Sequence, residues 1–188
     1  MDSQPEIPAF VDGDLVMLRP LVESDLTQRY LDWLNDAQVS RFLESGTFPE
    51  TMDSLRAFYN AMQGSKHNVL FAIIDKATGK HIGNVKLGGI NWIHRYGDLG
   101  IMVGDKAYWH KGYGREACRL LLKYAFGRLN LNKVWLGVYG NHAAAIRSYE
   151  KVGFVIEGRM SEMLNFEGAY VDKVIMAITK RQFAGRAE

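Results

Sequence analysis

The middle of the chain is built on a period of two. The stretches "NVLFAIID", "HIGNVKLGGINW" and "DLGIMVG" alternate or run apolar and are separated only by "KATGK" and "IHRYG". Links this short join neighbouring strands antiparallel, because a parallel return needs a crossover of about a dozen residues or more. A sheet with such a meander at its centre must cover an apolar face with helices. Helical periodicity occurs on both sides of it. "DLTQRYLDWLNDAQV", with Ser24 as capping candidate, brings Tyr30, Trp33 and Leu34 to one face; "TMDSLRAFYNAMQG" runs from Thr51 to Gly64. After the meander come the amphipathic helix of "YWHKGYGREACRLLLKYAF" and a shorter one, "HAAAIRSYEKV", closed by Gly153. Strands are predicted over residues 15–21 and 133–139, and two more around "NFEG" near the C-terminus. This order predicts an α+β fold, a mixed and mostly antiparallel sheet flanked by helices.

With 188 residues, 47% of them hydrophobic, the chain can bury one sizeable core but is short for two domains. A single domain over residues 1–188 is expected, with the acidic and polar residues 1–13 as a flexible N-terminal segment. A net charge of +2 without runs of like charge lacks the footprint of a nucleic-acid binder. No stretch reads as a membrane span or a secretory signal, which predicts a cytoplasmic protein. Cys118 is the single cysteine, and the five histidines are scattered, so neither an internal disulfide nor a metal site is expected. Cys118 shares an apolar helical face with Leu121, Leu122 and Ala125, which gives it a structural role.

The segment "VGDKAYWHKGYGREA" leads from a strand into a helix through Gly112 and Gly114. Two glycines let the backbone fold so that successive N–H groups point one way, and the helix N-terminus adds partial positive charge. Lys111 and Arg115 reinforce the sign, which makes an anion cradle; the same glycines would also serve a plain tight turn. "GYGREA" formally satisfies G-x-G-x-x-A, but the strand that follows offers no acid for a ribose and the preceding strand belongs to the meander. No P-loop pattern occurs.

"HKGYGREA" together with "NHAAAIRSYEKVGF" some thirty residues on resembles the GNAT family of acetyl-CoA-dependent N-acetyltransferases. That family's cofactor motif is Gln/Arg-x-x-Gly-x-Gly/Ala, and its next helix reads Asn-x-x-Ala/Ser-x-x-x-Tyr-x-Lys-x-Gly-Phe. "LRPLVESDLTQRYLDWLNDAQVSRFL" is similar to the opening of the branch that contains ribosomal-protein and small-molecule acetyltransferases. The resemblance implies the GNAT fold, acetyl-CoA as acyl donor, and pyrophosphate held by backbone amides of Lys111, Gly112, Tyr113, Gly114 and Arg115. Trp109 stands in the Gln/Arg position. The family asparagine falls on His142, with Asn141 beside it; Asn141 also suits a helix N-cap. The pantetheine arm is expected to pair with Ile101, Met102 and Val103, opposite residues 137–139, as an added strand.

A lysine-type amine has a pKa near ~10.4 and an α-amine near ~8, so an acceptor must lose a proton before attack. The thiolate that leaves benefits from a general acid. Tyr149 matches the family tyrosine near the thioester sulfur, and a packed core tyrosine is the bland alternative. Asp98 ranks first as base, by way of water, with His94 second. Glu157 and Glu162 read as solvated. The first two helices and "GGINWIHRYG" are expected to wall the acceptor site with Trp33, Phe42, Trp92 and Tyr96. The reading is transfer to a primary amine of a small molecule such as an amino sugar, with a protein N-terminus or a non-catalytic acyl-CoA sensor as alternatives. No nucleic acid or membrane partner is expected, and a homodimer is allowed.

Overall fold

The computed structural model describes residues 8–185. Val11–Asp12 (β1) and Val16–Pro20 (β2) lead into Gln28–Asn35 (α1), Ala37–Ser40 (α2) and Met52–Met62 (α3). The meander follows as Val69–Asp75 (β3), His81–Asn91 (β4) and Tyr96–Val103 (β5). Then come Tyr113–Gly127 (α4), Lys133–Tyr139 (β6), Ala143–Val152 (α5), Val155–Phe166 (β7), Ala169–Thr179 (β8) and Lys180–Ala184 (α6). Of the expected flexible segment, residues 1–7 lie outside the described residues, whereas Val11 and Asp12 pair with Leu18 and Met17.

All the strands form one sheet in the order β1-β2-β3-β4-β5-β6-β8-β7. Only β5 and β6 run parallel, and only Tyr96, Gly97 and Asp98 pair with Lys133, Val134 and Trp135. Beyond that short seam the strands part, leaving residues 99–103 and 136–139 unpaired to each other. Alternation along β3 divides the core. Phe71 and Ile73 join the α4 side, where Cys118, Leu121, Leu122 and Phe126 pack, while Ala72 and Ile74 join the side covered by Tyr30, Trp33 and Leu55. Each large apolar side chain so buried contributes about 1.5–3 kcal/mol relative to exposure.

The first predicted helix is broken in two. Asp36 takes an extended backbone, and its carboxylate accepts from the Gln38 and Val39 N–H groups at 2.8 and 3.3 Å, ending α1 and starting α2. Ser24 lies in a preceding 3₁₀ turn, and Thr27 caps α1 instead, its hydroxyl accepting from Tyr30 N–H. Thr51 caps α3 and Gly153, at φ 118°, closes α5, both as the sequence predicts. The β2–α1 connection is fixed by Arg19, which donates twice to Asp25 at 2.7 Å, with Val22 N–H as a third donor at 2.9 Å. Burial alone would raise Asp25, but these hydrogen bonds prevail and hold its carboxyl below the usual range.

Candidate active site

Where β5 and β6 part, a cleft of about 850 Å³ opens on the α4 side. Ile101, Met102 and Val103 line it from β5, Val138 from β6 and Tyr149 from α5. The start of α4 closes one end. His110 and Gly112 hold positive φ angles of 62° and 94°, which turn the chain sharply into the helix. The N–H groups of Tyr113, Gly114 and Arg115 then find no acceptor among the described residues, and the first intrahelical bond is Glu116 N–H to Gly112 C=O at 3.0 Å. A Cβ on Gly114 would sit 3.3 Å from Val103 Cγ2, so its absence lets α4 begin directly against β5.

Trp109, in the position where Gln or Arg was expected, donates from Nε1 to Val103 C=O at 2.6 Å and bolts the loop to the end of β5. Glu116, the acid of the first helical turn, faces away and accepts from the backbone N–H groups of Asp14 and Leu15. Positive charge at the cradle therefore comes from Arg115, which lines the cleft, and from the helix dipole. Lys111 is exposed and does not line this cleft; the Tyr113 ring packs edge-on against Tyr108 at 4.9 Å. The free N–H donors suit a pyrophosphate, and the unpaired edge of β5 suits an extended amide chain.

His142 caps α5 without a side-chain bond and stacks on Phe42 at 3.9 Å. Phe42 in turn stacks on Phe166 at 5.0 Å, and Arg41, paired with Glu167 at 2.9 Å, covers that ring. The column joins the loop after α2, the start of α5 and the β7–β8 hairpin across the mouth of the cleft. Burial, then the Arg41 charge, lower the His142 pKa. Asn141 is exposed and does not line this cleft. The Tyr149 hydroxyl has no hydrogen-bond partner among the described residues, and burial raises its pKa, so it stays protonated.

A second cavity, of about 650 Å³, lies on the α1–α3 face of the sheet and meets the first at Ile101, Met102 and Gly137. Tyr30, Leu55 and Phe58 wall it. Its floor is open because Gly100 and Gly137 carry no side chains there. Lys86 Cε passes 3.7 Å from where a Gly100 Cβ would be, and Lys173 crosses so close over Gly137 that a Cβ there would overlap Lys173 Cε.

A family model described as "Acetyltransferase (GNAT) domain" matches residues 16–155. The chain belongs to the GNAT acetyltransferase family. Among its relatives, the spermidine N(1)-acetyltransferase of Vibrio cholerae is 32% identical over 188 residues, all of both chains. A putative ribosomal N-acetyltransferase of Bacillus subtilis is 27% identical over 159 residues, 84% of this chain and 82% of the relative. The crystal structure of the Vibrio cholerae spermidine N-acetyltransferase in complex with CoA and spermine superposes with a TM-score of 0.83 at 29% identity, covering 90% of this chain and 98% of that one. The GNAT fold and acetyl-CoA dependence expected from the sequence are thereby established.

Within this GNAT acetyltransferase the predicted acceptor-site turn lies at the end of β5 away from the two cavities. Trp92, His94 and Tyr96 surround the start of β5, and at ~3.3 Å per residue Tyr96 is about 16 Å from Ile101. His94 is exposed and lines neither cavity. Asp98 occupies the last paired rung of the seam, on the face of Gly100 and Met102, with Oδ1 beside Gly88 and Gly89. Trp33 is core, lying flat on Gly104 and edge-on to His81. Of the four aromatic residues expected there, Phe42 alone lines the cavities. Glu157 pairs with Lys133 at 2.6 Å, Glu162 is exposed, and burial pushes the Cys118 thiol up to about 12. Asn84, Lys86 and Lys173 also line the second cavity, which sequence reasoning missed; Gly100 and Gly137, which leave room for the two lysines, were the available signal. Among the described residues no helix is long and apolar enough to cross a membrane, and no His, Cys, Asp and Glu group could hold a metal.

Proposed function

We propose that this GNAT acetyltransferase acetylates a primary amine of a small molecule bound in the α1–α3 cavity. The observation that carries the reading is the joining of two cavities at the gap between β5 and β6, one with the anion cradle and Tyr149, the other of a size, ~300–1,000 Å³, suited to a small ligand.

Acetyl-CoA supplies the activated acyl group. The N–H groups of residues 113–115 and Arg115 hold its pyrophosphate, while the free edge of residues 101–103 orients its arm. Tyr149 holds a proton at Oη for the departing thiolate. Of the two predicted bases, Asp98 shares the acceptor face and accepts the amine's proton through water; His94 has no part in the reaction. A cytoplasmic setting goes with this reading. Thiol release from acetyl-CoA across a panel of small primary amines and N-terminal peptides tests it. Turnover of a small amine exceeding every peptide is expected, and peptides as the preferred acceptors would overturn it.

A further inference from the structure

The charged groups that the strands bring to the floor of the acceptor cavity are two ammonium groups, Lys86 and Lys173. Asn84 is 5% exposed and lines the cavity from β4. Its Oδ1 accepts from His81 Nε2 at 3.0 Å, which leaves Nδ2 a buried donor with no partner. Such a group costs about 1–3 kcal/mol unless something in the cavity accepts from it. Two residues on, on the same face and about 7 Å away along the strand, stands Lys86. Lys173 rises from β8 across Gly137, so that a second ammonium lies where the two cavities meet.

Carboxylates also border the cavity, from its helical wall and rim and not from the strands of its floor. Glu50 accepts from Ser54 Oγ with one oxygen and keeps its charge, and Glu44, on the rim, has an 82% exposed side chain 4.0 Å from Lys173. Asp98, which is outside the cavity lining, is a near neighbour of Lys86: its Oδ1 and Lys86 Nζ both lie within 3.0 Å of the point where a Gly88 Cβ would be. A protonated polyamine brings donors and positive charge alone. It would leave Asn84 Nδ2 unmatched and set a second positive charge against Lys86.

We infer that the acceptor is a primary amine that also carries an oxyanion, a carboxylate or a phosphate, received by Asn84 Nδ2 and Lys86 with Lys173 at the inner end. This rests on the proposed acceptor role of the cavity and narrows its substrate class. Hydrogen bonds from an amide and an ammonium to a charged oxygen are the stronger kind, and in a partly closed cavity they separate ligands of opposite charge sharply. The same groups that welcome the anion exclude the polycation, so selectivity has an attractive and a repulsive component.

The test uses the full chain with CoA bound and three acceptor classes: spermidine, amines bearing a carboxylate such as β-alanine, and amines bearing a phosphate such as O-phosphoethanolamine and amino-sugar phosphates. Binding is read by calorimetry and turnover by thiol release. At least one oxyanion class should bind tenfold or more tighter than spermidine, and comparison of the two classes identifies the anion. Lys86→Met should remove most of that margin, and Asn84→Ala should reduce it, with CoA affinity as the folding control for both. Spermidine binding tighter than both oxyanion classes would overturn the inference while leaving the proposed transfer intact, as would a Lys86→Met variant that keeps the full margin. Oxyanion amines that bind but are never acetylated would overturn the inference too, since they would be ligands and not acceptors, and an absence of thiol release with every amine would overturn the proposed transfer itself.

Discussion

Replacing Gly112 by alanine tests whether backbone geometry, more than side-chain charge, builds the cradle. Gly112 caps α4 at φ 94°, and a Cβ there would meet Arg115 Nη2 at 3.5 Å and Leu15 Cδ1 at 3.8 Å, ordinary contacts. The cost is therefore conformational, about 1–2 kcal/mol for an L-residue held at positive φ. It has two outlets. If the loop keeps its shape, the cost appears as lost stability; if the loop relaxes toward negative φ, the N–H groups of residues 113–115 swing out of line and CoA affinity falls instead. Over both outlets the loss amounts to a factor of about 5–30. Gly114→Ala is the control. That residue is already helical, so alanine there is worth about 1 kcal/mol in helix propensity, set against a tight contact of the new methyl with Val103 Cγ2 at 3.3 Å and an ordinary one with Ile101 Cδ1 at 3.8 Å. Calorimetry with CoA and thermal unfolding of both variants decide the matter. A Gly112→Ala protein indistinguishable from wild type in both assays, with Gly114→Ala impaired, would refute the assignment of the cradle.

Tyr149→Phe should keep CoA affinity and lower kcat about a hundredfold, the scale of one general acid; single-turnover kinetics check it, and an unchanged rate returns Tyr149 to a packing role. His94→Gln should leave the pH–rate profile of acetyl transfer as it is, because the ring lies at the far end of β5, whereas Asp98→Asn should slow the reaction most at neutral pH and least at high pH, where the amine is already neutral. Arg19→Met should cost about 3–5 kcal/mol at neutral pH by leaving Asp25 buried and unpaired. Since Asp25 titrates below its ordinary range in the folded wild type, its stabilisation is complete above the unfolded carboxyl pKa near ~3.9 and is lost as pH falls through the folded value, so denaturant titrations should show the two proteins converging in acid.

The order of strands and helices was legible because each signal is local. Period-two runs, the cap at Thr51 and the glycine at 153 act within a few residues of themselves. What failed was reach. The break at Asp36 turns on one carboxylate choosing two backbone N–H groups, within a segment whose apolar spacing reads as continuous helix. Trp92, His94 and Tyr96 looked well placed because they adjoin a functional strand, but a strand has two ends, and the gap opens at the end away from them. Ile101, Gly112, Arg115, His142 and Tyr149 do line one cleft, as the two motifs implied. Asn84, Lys86 and Lys173 passed unnoticed because which face of β4 and β8 meets a cavity depends on strands distant in sequence.

The parting of β5 and β6 also bears on how the protein survives without its acyl donor. Two rows of backbone donors and acceptors, residues 99–103 and 136–139, are sheet edges placed in the interior of a sheet, and blunting devices such as an added proline or a charged edge would spoil the cofactor's own berth. Any extended peptide of the right width competes for that slot. A CoA molecule filling it withdraws both edges at once and stabilises the folded chain in proportion to its saturation. The chain without CoA is therefore expected to self-associate more readily than the CoA-bound chain, through the same slot, and light scattering with and without CoA would show it.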